Sequence, residues 1–451
     1  MTPIVTPEEM AAIDAAAPEP VEVLIERAGA AVARTARAVL GGTYARPVKA
    51  IASKGHNGAD GRAAARRLEA AGVAVRTFDA AEVPALLPPA DLVIDAAYGT
   101  GFKGTWDAPD VETSAVLAVD LPSGVDGLTG EVRGHPLAAT RTVTFAALKP
   151  GLLLGAGAAL AGAVEVADIG LDTSTARAHL VEEADVRSWL RPRQRDTHKW
   201  SAAVRLVAGS PGMTGAAHLA SAAAQRAGSG MVTLSSPGIE AQPPVEVVQK
   251  RLDETGWAPA VLDGLDRFHA LVIGPGMGRR ERTVEAAREL IAKAELPVLV
   301  DGDGLYALSW ATEGAAPVLR GRADPTVLTP HDGEFGLLAG QRPDADRIAA
   351  CRRLAFQLGC GVLLKGSTTI VADAAGDVLV TTTGDARLAT AGTGDVLSGI
   401  IGALLSGGLA PARAAAAGAW IHGMAARLGP PIGLVASDLL DAIPTVMDRL
   451  S

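Results

Sequence analysis

The chain has 451 residues, more than one ordinary hydrophobic core requires, so we expect two or three domains. Hydrophobic residues make up 48% and charged residues 20%, which is typical of a globular α/β protein and argues against a disordered chain. The formal net charge is −9 and no run of Lys or Arg stands out, which disfavours nucleic acid as a partner.

The two cysteines, Cys351 and Cys360, lie in or beside a predicted helix without CxxC spacing. This usage disfavours a disulfide framework or a zinc site and is typical of a reducing cytoplasm, where we expect the protein to work. Residues 1–5 lack the pattern of a secretion signal. The longest apolar run, residues 151–164, is shorter than the roughly 20 residues that span a bilayer, so we expect no membrane contact.

The first predicted unit of structure is an apolar strand at residues 48–53, a glycine-rich loop at 55–61 and a helix at 62–71. Further buried strands are predicted at residues 92–94 and 116–119. Short apolar strands that alternate with helices indicate a mostly parallel sheet covered on both faces, which is an α/β/α architecture.

Polar side chains gather where these strands end. The glycine-rich loop suits a phosphate, but it lacks the GxGxxG spacing of a redox dinucleotide site. Asn57, Asp95 and Ser123 can converge on a hard cation through their oxygen atoms. Asp120 follows the third strand and can act as an acid or a base. Aspartates at strand ends also commonly cap turns and helices, so the structural role stays open here.

Together with Leu-Ile-Glu-Arg-Ala-Gly at residues 24–29 and Lys-Pro-Gly-Leu-Leu at 149–153, these loops resemble the NAD(P)H-hydrate epimerase family over residues 5–172. The resemblance implies a Rossmann-like domain, predicted over residues 1–175, that binds K⁺ at Asn57, Asp95 and Ser123. The implied hydrate contacts are His56, Asn57, Gly58, Ala59, Asp60, Gly99, Thr100, Gly101, Phe102, Lys103, Gly104, Thr105 and Asp120. The family usually reads Asn-Asn-Gly-Gly-Asp-Gly, so His56 and Ala59 are substitutions, and Ala59 adds a methyl group beside the expected ligand.

We expect a linker at residues 176–190 and a second domain at 191–451. The second domain starts with a strand at 203–207, a loop at 209–215 and a helix at 216–227, and it continues with strands at 270–273, 298–300, 327–328 and 361–364. This order again indicates a mostly parallel sheet. Because the loops of the two halves differ in sequence, we interpret them as unrelated domains rather than a tandem repeat.

The loop Gly-Thr-Gly-Asp at residues 392–395 precedes a predicted helix at 396–405. Its glycines let the backbone approach a ligand, and the start of a helix binds phosphate oxygens. Asp395 is then placed to take the proton of an attacking hydroxyl in phosphoryl transfer, which makes it the candidate catalytic residue. The alternative is that Asp395 only caps the helix.

Three other loops follow predicted strands, and open α/β sheets bind their ligands at strand carboxyl ends. Lys365 and Gly366 precede three hydroxyl side chains. His331 stands beside two acids, although a lone histidine is often only a structural hydrogen-bonding group. The glycine-rich loop that ends at Gly278 can present backbone N–H groups to a ligand.

The ordered set of loops resembles the ribokinase-like superfamily, and within it the ADP/ATP-dependent NAD(P)H-hydrate dehydratases, over residues 185–451. The motifs that carry this resemblance lie at residues 214–217, 226–230, 274–278, 329–334, 365–366 and 392–395. The resemblance implies a ribokinase-like α/β/α domain that uses ADP and Mg²⁺. The implied nucleotide contacts are Lys365, Gly366, Ser367, Thr368, Thr369 and Gly394, and the implied hydrate contacts are Ala216, Gly278, His331 and Asp395. The chain departs from the family pattern at residues 198–200 and 301–305.

Each resemblance supports the other. An epimerase interconverts the R and S hydrates of NADH and NADPH, and a dehydratase specific for the S hydrate then clears both. The pair implies a bifunctional repair enzyme that acts on small-molecule substrates, and we expect a homo-oligomer. Two alternatives stay open: a ribokinase-like kinase of a small vitamin alcohol, and a dehydratase whose first half is an inactive binding module.

Overall fold

The computed structural model describes residues 1–112, 114–310 and 313–451. The chain divides into two compact units: the first unit is residues 2–178, and the second unit is residues 179–451 with Met1. Residues 176–190, predicted to be a linker, contain a short strand and a short helix. Among the described residues, no helix is long and apolar enough to cross a membrane.

The first unit is built on a parallel sheet. Its strands are β1 (Thr2–Ile4), β2 (Pro47–Ala52), β3 (Ala74–Asp79), β4 (Leu92–Ala96), β5 (Trp106–Asp107), β6 (Ala115–Val119), β7 (Gly134–His135), β8 (Arg141–Phe145) and β9 (Ala163–Ala167). Its helices are α1 (Pro7–Ala15), α2 (Val21–Leu40), α3 (His56–Ala70) and α4 (Gly155–Leu160), with a 3₁₀ turn at Pro150–Leu152. The main sheet has the order β3-β2-β4-β6-β8-β9 with every neighbouring pair parallel.

The two faces of this sheet bury different sets of side chains, as the alternation of side chains along a strand requires. Leu92 and Ile94 of β4 face a core that includes α2 and α3. Val93 faces the opposite core, which contains Trp106 and is partly closed by Phe102 from the loop after β4. The loops after the strands therefore belong to the packed structure and are held in place by the core.

The second unit is larger. Its strands are β10 (Ala178–Leu180), β11 (Ala203–Val207), β12 (Met231–Pro237), β13 (Val248–Leu252), β14 (Ala270–Ile273), β15 (Val298–Val300), β16 (Thr326–Leu328), β17 (Gly361–Leu364), β18 (Thr369–Ala372) and β19 (Val378–Thr381). Its helices are α5 (Glu183–Trp189), α6 (Thr214–Arg226), α7 (Ala258–Leu262), α8 (Glu281–Lys293), α9 (Asp303–Ser309), α10 (Ala316–Arg320), α11 (Asp332–Ala339), α12 (Arg347–Leu358), α13 (Thr393–Ser406), α14 (Pro411–Leu428) and α15 (Ala436–Leu450), with 3₁₀ turns at Lys199–Ala202 and Ala386–Leu388.

The sheet of the second unit runs β10-β19-β18-β17-β16-β15-β14-β11-β12-β13. It is parallel from β13 to β17, whereas β17, β18 and β19 pair antiparallel. One face is covered by α6, α13, α14 and α15, whose small residues permit close packing. A side chain at Gly399 of α13 would place its Cβ 2.2 Å from the carbonyl oxygen of Ala220 on α6, so only glycine allows this helix contact.

The predicted strands of both units are confirmed, and those at 203–207, 270–273, 298–300 and 361–364 have the predicted bounds. The predicted loop at residues 55–61 is wrong, because α3 already begins at His56. The glycines there serve packing of the helix: a Cβ at Gly58 would lie 1.9 Å from the carbonyl oxygen of Ser53, and one at Gly61 would lie 2.4 Å from Ala96 Cβ.

Candidate active sites

The first unit contains a cavity of about 920 Å³ at the carboxyl ends of β2, β4 and β6. Its walls come from α1, the start of α2 and the residues that follow these three strands. Of the predicted hydrate contacts, those that line it are His56, Asn57, Asp60, Gly99, Thr100, Gly101, Phe102 and Asp120. Those that do not are Gly58, Ala59, Lys103, Gly104 and Thr105. The methyl group of Ala59 is therefore not part of the cavity wall.

Asp120 lies at the base of this cavity and is nearly inaccessible to solvent. Its φ of +68° is a left-handed conformation that few non-glycine residues adopt, and such strain is often found at functional sites. Its carboxylate is held by the ammonium of Lys149 at 2.8 Å and by the hydroxyl of Thr144 at 3.0 Å. The backbone N–H of Thr100 donates to the other oxygen at 3.4 Å.

Lys149 is a part of the site that is not among the residues predicted from the sequence. It is 1% exposed, and its ammonium also donates to Thr144 Oγ1 at 2.9 Å and to the carbonyl oxygens of Phe145 at 3.0 Å and Ala147 at 3.3 Å. A buried ammonium needs such partners because desolvation is costly. The feature of the sequence that points to Lys149 is its position in the Lys-Pro-Gly-Leu-Leu motif at residues 149–153.

Two more carboxyl groups face the same cavity. Burial, followed by the nearby charges of Asp120 and Asp14, raises the pKa of Asp60 to about 8, although Lys149 acts in the opposite direction. Burial also raises the pKa of Asp14 on α1, with Lys149 opposing it. Asp14 is not predictable as a site residue from the sequence, because only the fold brings α1 to the ends of these strands.

The predicted cation ligands lie at adjacent strand ends. Asp95 of β4 is fully buried, and it accepts hydrogen bonds from the Ser123 hydroxyl at 2.6 Å and the Ser123 N–H at 2.9 Å. Burial raises the pKa of Asp95, although these hydrogen bonds lower it. The buried side-chain amide of Asn57 has no hydrogen-bond partner among the described residues. A Cβ at Gly99 would lie 3.2 Å from both Asn57 Oδ1 and Asp120 Oδ2, so both side chains reach this spot.

In the second unit, Asp301 and Lys365 form a buried ion pair at 2.7 Å. Asp301 directly follows β15 and also accepts hydrogen bonds from Thr329 at 2.8 Å and from Ser398 on α13 at 2.7 Å. Burial raises the pKa of Asp301, but Lys365 and the two hydroxyl groups hold it below its usual value. Burial lowers the pKa of Lys365, but Asp301 and Glu334 more than offset this effect and raise it.

Asp395 lies in the first turn of α13 beside this pair. The N-cap is Gly392, at φ 90°, so Asp395 is not the capping residue. Burial, followed by the charge of Asp301, raises the pKa of Asp395 to about 7, with Lys365 acting in the opposite direction. A Cβ at Gly394 would lie 3.6 Å from Lys365 Nζ, so the glycine brings the helix start close to the ammonium.

The remaining predicted residues lie at neighbouring loops. His331 is the N-cap of α11, and its Nδ1 accepts hydrogen bonds from the N–H groups of Gly333 at 3.0 Å and Glu334 at 3.3 Å. His331 therefore has the structural hydrogen-bonding role that is common for a lone histidine. The N–H of Gly278 donates to Asp303 at 2.8 Å. Gly276 of the same loop packs against Ala216, since a Cβ there would lie 2.8 Å from Ala216 Cβ.

Residues 366–368 form the turn between β17 and β18, and Thr369 is the first residue of β18. Arg347 supports the turn by donating to the carbonyl oxygen of Lys365 at 3.2 Å. Behind the helix start, His422 of α14 bonds to the backbone of Thr393, and burial lowers its pKa to about 4. Asp301, Asp303 and His422 are not predicted as parts of the site from the sequence, because single residues of these types carry no signal without the fold.

Comparison with known proteins identifies the family. A family model described as NAD(P)H-hydrate dehydratase matches residues 204–444, and one described as YjeF-related protein N-terminus matches residues 21–84 and 78–151. The chain is 37% identical to the bifunctional NAD(P)H-hydrate repair enzyme of Moorella thermoacetica, with 99% of this chain aligned to 97% of that protein. The chain belongs to the bifunctional NAD(P)H-hydrate repair enzyme family.

Further relatives agree with this assignment. The repair enzyme of Mycobacterium tuberculosis is 38% identical over 85% of this chain and 84% of its own length. A crystal structure of the ADP/ATP-dependent NAD(P)H-hydrate dehydratase from Bacillus subtilis, obtained with ATP and Mg²⁺, matches at a TM-score of 0.53 and 31% identity, covering 60% of this chain and 98% of that one. The resemblances predicted from sequence to the epimerase and dehydratase families are thereby confirmed.

Proposed function

We propose that this member of the repair enzyme family restores hydrated NADH and NADPH. The first unit interconverts the R and S hydrates, and the second unit dehydrates the S hydrate while ADP is converted to AMP and phosphate. The observation that carries the proposal is the position of Asp395 at the start of α13, beside the ion pair of Lys365 and Asp301. This arrangement suits a base that works next to a bound phosphate chain.

In the dehydratase reaction, Asp395 takes the proton of the hydroxyl on carbon 6 of the nicotinamide ring. The oxygen then forms a bond to the terminal phosphorus of ADP, and AMP leaves. The new phosphate ester leaves as phosphate, and loss of a proton from carbon 5 restores the ring double bond. Lys365, Gly394 and residues 366–369 hold the nucleotide, while Ala216, Gly278 and His331 contact the hydrate. Mg²⁺, when bound with the nucleotide, offsets the negative charge of its phosphates.

In the epimerase unit, Asp120 is the proposed catalytic residue. We assign K⁺ to Asn57, Asp95 and Ser123, because they offer oxygen atoms, one buried carboxylate and an amide without a hydrogen-bond partner among the described residues. Hard monovalent cations prefer such ligands. The cation supplies positive charge next to the cavity, which favours the binding of an anionic dinucleotide.

The test is an assay of purified chain with separated R and S hydrates of NADH. We expect the near-ultraviolet absorbance of NADH to recover fully from the S hydrate when ADP and Mg²⁺ are present. We also expect the whole chain to repair the R hydrate faster than the second unit, residues 179–451, expressed alone. Failure of the S hydrate to recover, with a vitamin alcohol phosphorylated instead, would favour the kinase alternative. Equal rates on the R hydrate would indicate an inactive first unit. A homo-oligomeric state and a cytoplasmic location stay predictions.

A further inference from the structure

The cavity of the first unit is lined by several ionisable side chains. Asp14, Asp60, Asp120 and Lys149 are all among its lining residues. Lys149 makes its ion pair with Asp120 at 2.8 Å. Asp60 has no cation within ion-pair distance among the described residues, although it is only 8% exposed. The structure thus places a carboxyl group that is paired with a lysine and one that has no such partner in the same cavity.

The character of each group follows from its contacts. Asp120 forms an ion pair with Lys149 at 2.8 Å and accepts hydrogen bonds from the hydroxyl of Thr144 and the N–H of Thr100. Burial, followed by the negative charges of Asp120 and Asp14, raises the pKa of Asp60 to about 8, so it retains its proton at neutral pH. A carboxyl group paired with a lysine and a buried carboxyl group without a cationic partner among the described residues are suited to the two roles of base and acid.

The reaction proposed for this unit requires both roles. The R and S hydrates differ at carbon 6, which carries a hydroxyl group and is bonded to the ring nitrogen. When a base takes the hydroxyl proton, the C6–O bond becomes a carbonyl, the C6–N bond breaks, and its electron pair passes to nitrogen. An acid must then supply a proton to that nitrogen. Rotation about the C5–C6 bond and the reverse steps close the ring from the other face, so no atom is oxidised or reduced.

We propose that Asp60 is the general acid that protonates the ring nitrogen, while Asp120, held in place by Lys149, takes the hydroxyl proton. This inference rests on the epimerase activity proposed above. Ring closure returns both protons, so each group is ready for the next turnover. The other ionisable groups that face Asp60 are Asp14 from α1 and Lys149, and His56 at the start of α3 lies near Asp14.

The test uses the full chain without ADP and follows the approach of pure S hydrate to its equilibrium mixture with the R hydrate by chromatography. The rate without enzyme is subtracted. The wild-type rate is expected to fall as pH rises through about 8, because the acid loses its proton there. Asp60→Asn keeps the shape of the side chain and is expected to slow the reaction by about a hundredfold or more and to abolish this alkaline decline.

Glu69→Gln is the matched control, because Glu69 lies on the exposed side of the same helix. It is expected to keep both the wild-type rate and the wild-type pH profile. An Asp60→Asn variant within threefold of wild type and with the same alkaline decline overturns the role of Asp60. If that variant does not fold, the wild-type profile decides: a constant rate from about pH 6 to pH 9.5 overturns the role as well. A wild-type chain that does not accelerate the interconversion at any pH overturns the epimerase function itself.

Discussion

Replacing Lys365 with Met tests the network at the centre of the second unit. The substitution keeps much of the side-chain volume and removes the ammonium that pairs with Asp301 at 2.7 Å. Asp301 keeps the hydrogen bonds from Thr329 and Ser398, but its charge then has no cationic partner within this network. Removing one partner of a buried pair leaves an uncompensated buried charge, which costs about 3–5 kcal/mol.

We expect a loss of about 3 kcal/mol in the free energy of unfolding at neutral pH, at the lower end of that range. The reason is that the Lys365 side chain is 21% exposed, whereas that of Asp301 is 4% exposed. The pKa of Asp301 is below its usual value in the folded chain, so its stabilising effect is present above about pH 4 and is lost as pH falls. The difference between wild type and Lys365→Met should therefore shrink in acid.

Urea unfolding, followed by tryptophan fluorescence and by circular dichroism, measures the change. The double variant Asp301→Asn with Lys365→Met should lose at least about 1 kcal/mol less than the sum of the single variants, because it leaves no unpaired charge. Lys293→Met is the control, since Lys293 pairs with Glu289 on the exposed surface of α8 and should contribute under about 0.5 kcal/mol. A Lys365→Met variant as stable as the control would refute the argument.

Three further predictions concern catalysis. With Asp395 as base, kcat/KM for the S hydrate should rise with pH through about 7 and then level off. Asp395→Ala should lower kcat by about a hundredfold or more, with little change in the ADP affinity measured by calorimetry. Asp120→Asn should block R/S interconversion while S-hydrate dehydration stays unchanged; loss of both activities would mean that the units are not independent. Asn57→Ala should abolish the stimulation of epimerisation by K⁺ relative to Na⁺, and equal stimulation in the variant would remove Asn57 from the cation site.

The sequence predicts this fold well where short apolar runs end in polar loops. The strands at 203–207 and 361–364 are continuous apolar segments bounded by glycine or polar residues, so their bounds are readable. The start of α3 cannot be predicted in the same way, because glycines such as those at positions 58 and 61 usually indicate a loop. Here they allow the helix to pack against Ser53 and Ala96, and this contact exists only in the folded chain.

Some residues of the candidate sites are likewise predictable from the sequence, and others are not. Asp395 was identifiable because a glycine-rich loop before a helix has a local chemical meaning. Lys149, Asp14 and Asp301 were not assigned, because their significance comes from partners that are distant in sequence. Asp14 reaches the cavity from α1, and Asp301 bonds to hydroxyl groups from two other segments. Such groups are recognised only after the topology brings them together.

The central claim is that one chain performs both repair steps. The most direct measurement is the ratio of R to S hydrate of NADH over time with the purified chain, with and without ADP and Mg²⁺. Without ADP, either pure epimer should reach the same equilibrium mixture faster than it does without enzyme. With ADP, both epimers should disappear and NADH should accumulate in equal amount. Disappearance of the S hydrate alone, with the R hydrate left at its uncatalysed rate, would contradict the claim.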